Sequence, residues 1–166
     1  FPETKVVLDE TGCPIALKAY ERNTATKLIE DFMLAANETV AEDFFWREIP
    51  FVYRIHEAPD EEKIRKLAVF LHNFGYTMHV GTNEIHPKEI QKLLARVEGK
   101  PEEPMIARLA LRSMKQAKYT PENEGHFGLA TAYYTHFTSP IRRYPDLQIH
   151  RIIKETLRGR MNEERI

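Results

Sequence analysis

The stretch from 126 to 150 holds the residues of this chain whose types are best suited to chemistry. Aromatic rings alternate there with histidines and arginines, a mixture unlike that of an apolar core. The members of this basic aromatic stretch are His126, Phe127, Tyr133, Tyr134, His136, Phe137, Arg142, Arg143, Tyr144 and His150. Aromatic faces stack on nucleobases at about 1–3 kcal/mol per base, and an arginine can bind two phosphate oxygens at once. The pattern therefore predicts a contact with nucleic acid.

Arg142 and Arg143 lie between two prolines, Pro140 and Pro145. Proline fixes its own φ and pushes the preceding residue towards extended geometry, so we predict a stiff bend before a helix that starts near Asp146. A guanidinium on a preset bend loses less entropy on binding. When water attacks a phosphodiester, negative charge builds on the phosphate oxygens, and a fixed cation stabilises that charge. The bend therefore predicts chemistry at a phosphodiester.

Metal ions held by carboxylates normally complete such a site, and the basic aromatic stretch has few carboxylates. Asp146 is its only acid, and one carboxylate does not make a two-metal site. Asp146 and His150 are spaced i, i+4, so we expect them to pair with each other rather than to bind a metal. No zinc site is predicted either, because three further histidines recur at intervals of seven without a compact ligand spacing: His72, His79 and His86.

The remaining sequence predicts an α+β fold in which helices dominate and short strands complete a sheet. Apolar residues at helical spacing predict helices from about residues 23, 60, 87, 104 and 146, and we expect the helix from 104 to run to about Lys118. Strands are predicted at 5–8, 15–20 and 51–55. The first helix carries a long apolar stripe that we expect to be buried: Ala25, Ile29, Phe32, Met33, Ala36, Val40 and Phe44.

The composition is that of a globular domain and excludes several classes of protein. The 166 residues are 42% hydrophobic and include one cysteine, Cys13, so the chain can bury a core but cannot form an internal disulfide. A single cysteine is compatible with a reducing compartment, so we expect a cytoplasmic protein. No apolar run of about 18 residues could span a bilayer, so we expect no membrane partner. Residues 1–62 are acidic and residues 63–166 are basic, so a polyanion would prefer the second part, although two ordinary solvated faces would give the same distribution.

Two segments of the basic aromatic stretch form distinctive motifs, His-Phe-Gly-Leu at 126–129 and the run from Tyr134 to Asp146 that contains Thr-Ser-Pro-Ile-Arg-Arg-Tyr. Three earlier segments accompany them, at 29–37, 53–57 and 111–117. Together these segments resemble the ribonuclease II family, and closely its ribonuclease R branch. The resemblance implies that residues 1–166 are the carboxy-terminal portion of a catalytic RNB domain. Because the chain opens on Phe1 without an initiating methionine, we expect it to be an excerpt of a longer protein.

In that family the catalytic domain degrades RNA processively from the 3′ end by hydrolysis and releases nucleoside 5′-monophosphates, with Mg²⁺ bound by a cluster of aspartates. The resemblance places that cluster upstream of the present residues, and no aspartate-rich motif of this kind occurs in residues 1–166. It therefore implies an exoribonuclease whose partner is a single-stranded 3′ end of RNA and whose cofactor is Mg²⁺. We expect this chain alone to be inactive and no physiological oligomer to form.

The resemblance also implies roles for single residues. Arg142 matches the arginine that contacts the scissile phosphate, and Arg143 is a weaker RNA-binding candidate because other members carry lysine there. Glu30 matches an acidic residue near the terminal ribose, where a carboxylate can accept a 2′-hydroxyl hydrogen bond and favour RNA over DNA. Under the same resemblance, Phe1 corresponds to a base-stacking phenylalanine. Three more motif residues either contact RNA or shape the fold: His126, Tyr134 and Ser139.

Two interpretations from other classes stay open. In the first interpretation the chain is an RNA-binding module without catalysis. In the second it is a helical interaction domain in which every motif residue is structural. Salt dependence separates an RNA contact from a protein contact, because binding through phosphates weakens steeply as salt rises and apolar contact does not.

Overall fold

The computed structural model describes residues 4–19, 23–79 and 85–161. Its strands are β1 (Thr4–Leu8), β2 (Pro14–Ala19), β3 (Tyr53–Ile55) and β4 (Lys118–Thr120). Its helices are α1 (Thr24–Trp46), α2 (Glu61–His72), α3 (Pro87–Val97), α4 (Glu103–Ser113) and α5 (Tyr144–Leu157), with one 3₁₀ turn at Phe127–Leu129. The prediction of a mainly helical α+β fold is confirmed. The chain divides into two compact units, residues 1–35 and 36–166, which we describe separately.

In the first unit, β1 and β2 form an antiparallel hairpin. Asp9 closes its turn, because the Asp9 carboxylate accepts hydrogen bonds from the backbone N–H groups of Thr11 and Cys13 at 2.9 and 2.8 Å. Helix α1 begins after Asn23, whose side-chain oxygen accepts from the Thr26 N–H at 2.9 Å and so caps the helix. The predicted hairpin and helix start are therefore explained by local hydrogen bonds.

The apolar stripe of α1 is buried along only part of its length. Ala41 and Phe44 are buried, as predicted. Ile29 and Phe32 are 58% and 64% exposed, so the prediction of burial along the whole stripe is wrong for the first turns. Helical spacing identifies which residues share a face, but burial also needs a surface that covers this face, and spacing carries no information about that surface.

The described residues of the second unit form two apolar cores. One lies among α2, α3 and α4, and its buried members are Ile64, Leu67, Leu71, Tyr76, Ile85, Ile90, Leu93, Val97, Ile106 and Ala110. The other joins the end of α1 to β3 and α5, and its buried members are Ala41, Phe44, Phe51, Tyr53, Ile55 and Ile149. Tyr133 and Phe137 pack against this second core, which therefore carries the basic aromatic stretch.

Strand β4 pairs antiparallel with β3, and Tyr53 lies opposite Thr120. The sequence predicts a helix up to about Lys118, and this boundary is wrong: α4 ends at Ser113, and Met114 is extended, with φ −84° and ψ 155°. Pairing with β3 is a contact between distant parts of the chain, which helical spacing cannot reveal. The described strands form two separate two-stranded sheets, β1 with β2 and β3 with β4.

Candidate functional site

Strand β3 holds the first part of the basic aromatic stretch by backbone hydrogen bonds. The His56 N–H donates to the Gly125 carbonyl at 3.0 Å, and the Phe127 N–H donates to the His56 carbonyl at 2.8 Å. Further along, the Arg54 N–H donates to the Tyr134 carbonyl at 2.9 Å. The stretch is therefore fixed to a strand of the second core, although it has little regular secondary structure of its own.

Asn37 of α1 fixes the middle of the stretch. Its buried side-chain N–H donates to the Tyr134 hydroxyl at 3.1 Å, and its side-chain oxygen accepts from the Phe137 N–H at 2.9 Å. The Tyr134 ring is itself buried, and this burial raises the pKa of its hydroxyl. Tyr134, which the sequence offers as an RNA contact, thus lies inside the protein with its hydroxyl hydrogen-bonded.

His126 and His136 belong to a row of rings that contact one another at steep angles. The Tyr134 ring lies between the two histidines, with centroid distances of 5.1 Å to His126 and 5.8 Å to His136. His56 extends the row beyond His126 at 5.1 Å, and Tyr119 extends it beyond His136 at 5.7 Å. The Tyr119 hydroxyl also lies 2.7 Å from Nδ1 of His136. The row therefore joins His56, the residue after β3, to strand β4 and the basic aromatic stretch.

Both histidines of the motif are held neutral. Burial, and after it the nearby His56 ring, lowers the pKa of His126 to about 4. Burial, and after it the positive charge of Arg143, lowers the pKa of His136 to about 4. Nδ1 of His126 accepts a hydrogen bond from the Leu129 N–H at 3.2 Å. At neutral pH, His126 therefore caps the 3₁₀ turn as a neutral ring and adds no positive charge for a phosphate.

The predicted bend is present between Ser139 and Arg143. The Ser139 carbonyl accepts from the N–H groups of Arg142 and Arg143 at 3.3 and 3.1 Å, and the Ser139 N–H donates to Oδ2 of Asp146 at 2.8 Å. The Arg143 guanidinium donates from Nε to Oδ1 of Asp146 at 2.9 Å and from Nη2 to Oδ2 at 2.8 Å. Asp146 is fully buried. Arg143, a predicted RNA contact, is thus engaged by a protein carboxylate.

The expected pairing of Asp146 with His150 is wrong. Asp146 pairs with Arg143. Nε2 of His150 lies 3.0 Å from the Phe137 carbonyl oxygen, and because a carbonyl only accepts, His150 donates this hydrogen bond. The His150 and Phe137 rings stack with their centroids 4.4 Å apart. Asp146 lies in the first turn of α5, and helical side chains point back towards the amino terminus, so its carboxylate meets the bend rather than the following turn.

Arg142 lies on the outer side of the same bend. Its side chain is exposed, and its Nε donates to the Ser139 hydroxyl oxygen at 3.3 Å. Arg142 takes part in none of the ion pairs formed by residues 4–19, 23–79 and 85–161. The neighbouring Ile141 is 98% exposed, so the tip of the bend projects from the surface. Of the two adjacent arginines, Arg142 is therefore the one available to a ligand.

Two grooves of the second unit lie away from the Arg142 side chain. One, of about 450 Å³, lies on α2 and α4 and is lined by Phe70, Pro104, Met105, Arg108, Leu109 and Arg112. The other, of about 510 Å³, lies beside the 3₁₀ turn, and His56, His86, Lys88, Glu124, His126 and Phe127 are among its lining residues. Arg142 lines neither of these two grooves.

Two further predicted site residues lie in the first unit. Glu30 is a half-buried residue of α1. Phe1 lies outside the described residues. The roles of Glu30 and Phe1 stay predictions.

The described donors do not form a metal site. Among residues 4–19, 23–79 and 85–161, no group of three or more histidine, cysteine, aspartate or glutamate side chains could hold a metal ion. Both oxygens of Asp146, the carboxylate nearest to Arg142 in sequence, already accept hydrogen bonds from Arg143 and Ser139. These residues therefore do not fit Mg²⁺. Across the same part of the chain, we find no helix whose length and apolar character would let it cross a membrane.

Three residues that support the site were not predicted from the sequence: Asn37, Thr135 and Arg54. Asn37 binds the stretch from α1, and its one sequence signal is an amide beside an apolar helical stripe. Thr135 is buried and donates from its hydroxyl to the Val52 carbonyl at 2.6 Å. Arg54 lies over the Tyr119 ring at 4.6 Å. These partners are 65 or more residues apart in sequence, so spacing along the chain could not identify them.

Comparison with known proteins places these features in a family. The model of the RNB domain matches residues 1–159. Ribonuclease R of Aquifex aeolicus is 50% identical over 159 residues, which cover 96% of this chain and 22% of that protein. The structure of Mycoplasma genitalium RNase R in complex with ribose methylated single-stranded RNA matches with a TM-score of 0.89 and 30% identity, over 99% of this chain and 26% of that one.

A pseudonuclease shares the same fold. The structure of yeast Ssd1, described as a pseudonuclease, matches with a TM-score of 0.72 and 26% identity, over 86% of this chain and 18% of that one. The chain thus spans about a fifth to a quarter of the length of the relatives it matches. The fold alone does not separate active enzymes from inactive relatives.

Proposed function

This chain belongs to the RNB domain family, and from that premise we propose that it is the carboxy-terminal part of the catalytic domain of a longer exoribonuclease. The parent enzyme hydrolyses RNA from the 3′ end and releases nucleoside 5′-monophosphates. Its substrate is a single-stranded 3′ end. Support comes from the similarity to ribonuclease R proteins along nearly the whole chain and from the RNA complex of one structural relative.

The observation that carries the proposal is the different state of the two arginines on the bend. The Arg143 guanidinium is bound to Asp146, while Arg142 is exposed and forms no ion pair among the described residues. A polyanionic substrate that reaches the bend therefore meets Arg142 first. Its planar group can bind two non-bridging oxygens of the scissile phosphate.

In the proposed reaction Arg142 acts by charge stabilisation. Negative charge grows on the phosphate oxygens as water attacks phosphorus, and a cation already held at that position stabilises the transition state without reorganising. Ser139 orients the guanidinium through its hydroxyl oxygen. Tyr134, His126 and Arg143 shape the surface on which the RNA lies. Glu30 is proposed to favour ribose, and Phe1 to stack on a base.

The proposed cofactor is Mg²⁺, bound outside this chain. The described carboxylates do not form a group that could hold it, so its ligands belong to other polypeptide of the parent enzyme. When bound, Mg²⁺ would activate water and neutralise charge on the phosphate.

A second candidate function is RNA binding without catalysis. The similarity to a pseudonuclease of the same fold favours it. Release of nucleoside 5′-monophosphates by the parent protein would exclude this candidate, because a binding module leaves the RNA intact.

The proposal is tested by replacing Arg142 in the full-length parent protein. We expect Arg142→Ala to lower the single-turnover cleavage rate about 100- to 1,000-fold, as for the loss of one charge-stabilising group. Arg142→Lys should also slow cleavage more than it weakens RNA binding, because an ammonium lacks the planar geometry. Rates come from release of labelled mononucleotides, and affinities from binding of the same RNA.

Arg158 supplies the matched control. It is an exposed arginine at the end of α5 that pairs with Glu155 at 3.4 Å, so Arg158→Ala and Arg158→Lys should cleave at the normal rate. Equal losses of rate and affinity in the Arg142 variants would contradict a role in the transition state.

A further inference from the structure

We propose that Asp146 is a positioning residue, whose buried carboxylate holds the bend so that the neighbouring Arg142 guanidinium faces the phosphate. The inference rests on the proposed function, since it assigns the source of the Arg142 geometry that the function requires. It adds a residue that does not touch RNA and acts through another side chain.

Asp146 makes contacts on two sides of the bend. Oδ2 of Asp146 accepts from the Ser139 N–H at 2.8 Å, at the first residue of the bend. Both carboxylate oxygens accept from Arg143, at its last residue, over distances of 2.8 to 3.1 Å. Asp146 is fully buried, and the Arg143 side chain is 19% exposed. One carboxylate therefore fixes both ends of the segment that contains Arg142.

The location of Asp146 in a helix restricts the positions that its carboxylate can take. It lies in the first turn of the 14-residue helix α5, where the helix dipole favours a negative charge. A buried ion pair with further hydrogen bonds tolerates few alternative geometries, because any shift leaves a charge unpaired away from water. The carboxylate therefore ties the bend to the first turn of α5.

Ser139 carries this constraint to Arg142. The Ser139 carbonyl accepts from the Arg142 N–H at 3.3 Å, and the Ser139 hydroxyl accepts from Arg142 Nε at 3.3 Å. If the Ser139 N–H loses its partner, both acceptors that orient Arg142 are free to shift. In addition, Arg143 without its carboxylate becomes a second free cation beside Arg142, which competes for the same phosphate oxygens.

A purely structural role would give a different result from a positioning role. If Asp146 acts through Arg142, replacing Asp146 does not lower the cleavage rate further in a protein that already lacks Arg142. If Asp146 only stabilises the fold, its removal lowers the cleavage rate by the same factor in either background. Comparison of the single and double variants separates these cases.

The test uses the full-length parent protein with Asp146→Asn, Arg142→Ala and the double variant. We expect Asp146→Asn to lower the single-turnover cleavage rate about 10- to 100-fold. This is the range for residues that do not contact the substrate but orient a residue that does. The double variant should cleave no more slowly than Arg142→Ala. Asp43→Asn is the matched control: it removes the carboxylate of an exposed aspartate–arginine pair, with Arg47 at 2.7 Å, and should leave the rate unchanged.

A second variant covers the case in which Asp146→Asn does not fold. Arg143→Lys keeps Asp146 and a positive charge but loses the double contact, so a smaller loss of rate is expected, again absent when Arg142 is already alanine. An unchanged rate in both Asp146→Asn and Arg143→Lys, or rate losses that multiply in the double variants, would overturn the inference while the proposed function stands. Normal cleavage by Arg142→Ala would overturn the proposed function itself.

Discussion

At the scale of residues, the main finding is that two consecutive arginines, Arg142 and Arg143, have different environments. Arg143 forms an ion pair with the buried Asp146, and Arg142 is exposed on the same bend. Their difference is not one of chemistry, since both are permanently charged. It arises from the direction in which the bend turns each side chain, which Asp146 and Ser139 determine.

The histidines of the row give a prediction for pH dependence. His126 and His136 have pKa values of about 4 in the folded protein, against about 6.5 for an unfolded chain. Between these values the unfolded state binds protons that the folded state does not, so the free energy of unfolding should fall as pH falls from 6.5 to 4. Above pH 6.5 these two groups should contribute no slope.

Equilibrium unfolding of this chain at pH 7 and pH 5 measures the effect. The stability lost between the two pH values should be smaller in the double variant His126→Asn/His136→Asn than in the unchanged chain. An equal loss in both proteins would show that these histidines do not hold the depressed pKa values.

At the scale of elements, the 3₁₀ turn approaches His56, the residue after β3, so closely that a side chain at Gly128 would force a shift. The Gly128 N–H donates to Nδ1 of His56 at 3.1 Å, and a Cβ built on Gly128 would lie 2.8 Å from the same nitrogen. His56 is also fixed on its other side, because Nε2 lies 2.8 Å from the Lys115 carbonyl oxygen. The imidazole therefore cannot move aside without losing a hydrogen bond.

We expect Gly128→Ala to lower the free energy of unfolding by about 1–3 kcal/mol, the usual cost of overpacking. Chemical denaturation of the two proteins measures the difference. Gly99→Ala tests a different cost, because Gly99 has no atom within 4 Å of its Cβ position but has a φ of +75°, so that variant reports backbone strain without a steric contact. If Gly128→Ala were as stable as the unchanged protein, the close approach to His56 would be wrong.

At the scale of the whole molecule, the described residues include an exposed arginine at the bend, Arg142, but no group that could hold a metal ion. Under the proposed function, we therefore expect the 166-residue chain to bind single-stranded RNA without degrading it. Its affinity should fall steeply with rising salt, because binding through phosphates releases counterions. Binding and decay of 3′-labelled RNA, each with and without Mg²⁺, measure both properties. Release of mononucleotides by this chain, if abolished by Arg142→Ala, would contradict the proposed division of the site.

Sequence patterns by themselves determined those features that depend on neighbouring residues. Helical spacing and capping residues predicted the helices, the prolines predicted the bend, and the motif around Arg142 predicted the RNB domain family, which comparison confirms. Local hydrogen bonds and backbone restrictions act over a few residues, so they leave a signal in the order of residues along the chain.

Tertiary structure alone decided the features that depend on distant partners or on side-chain direction. The end of α4 at Ser113 reflects pairing of β4 with β3, and the exposure of Phe32 reflects what covers a helix face. Asp146 has a histidine and two arginines within four residues, and only the geometry of the bend selects Arg143 as its partner. Sequence supplies the groups that can interact, while packing fixes the directions in which they point, and direction determines which charge remains available to a substrate.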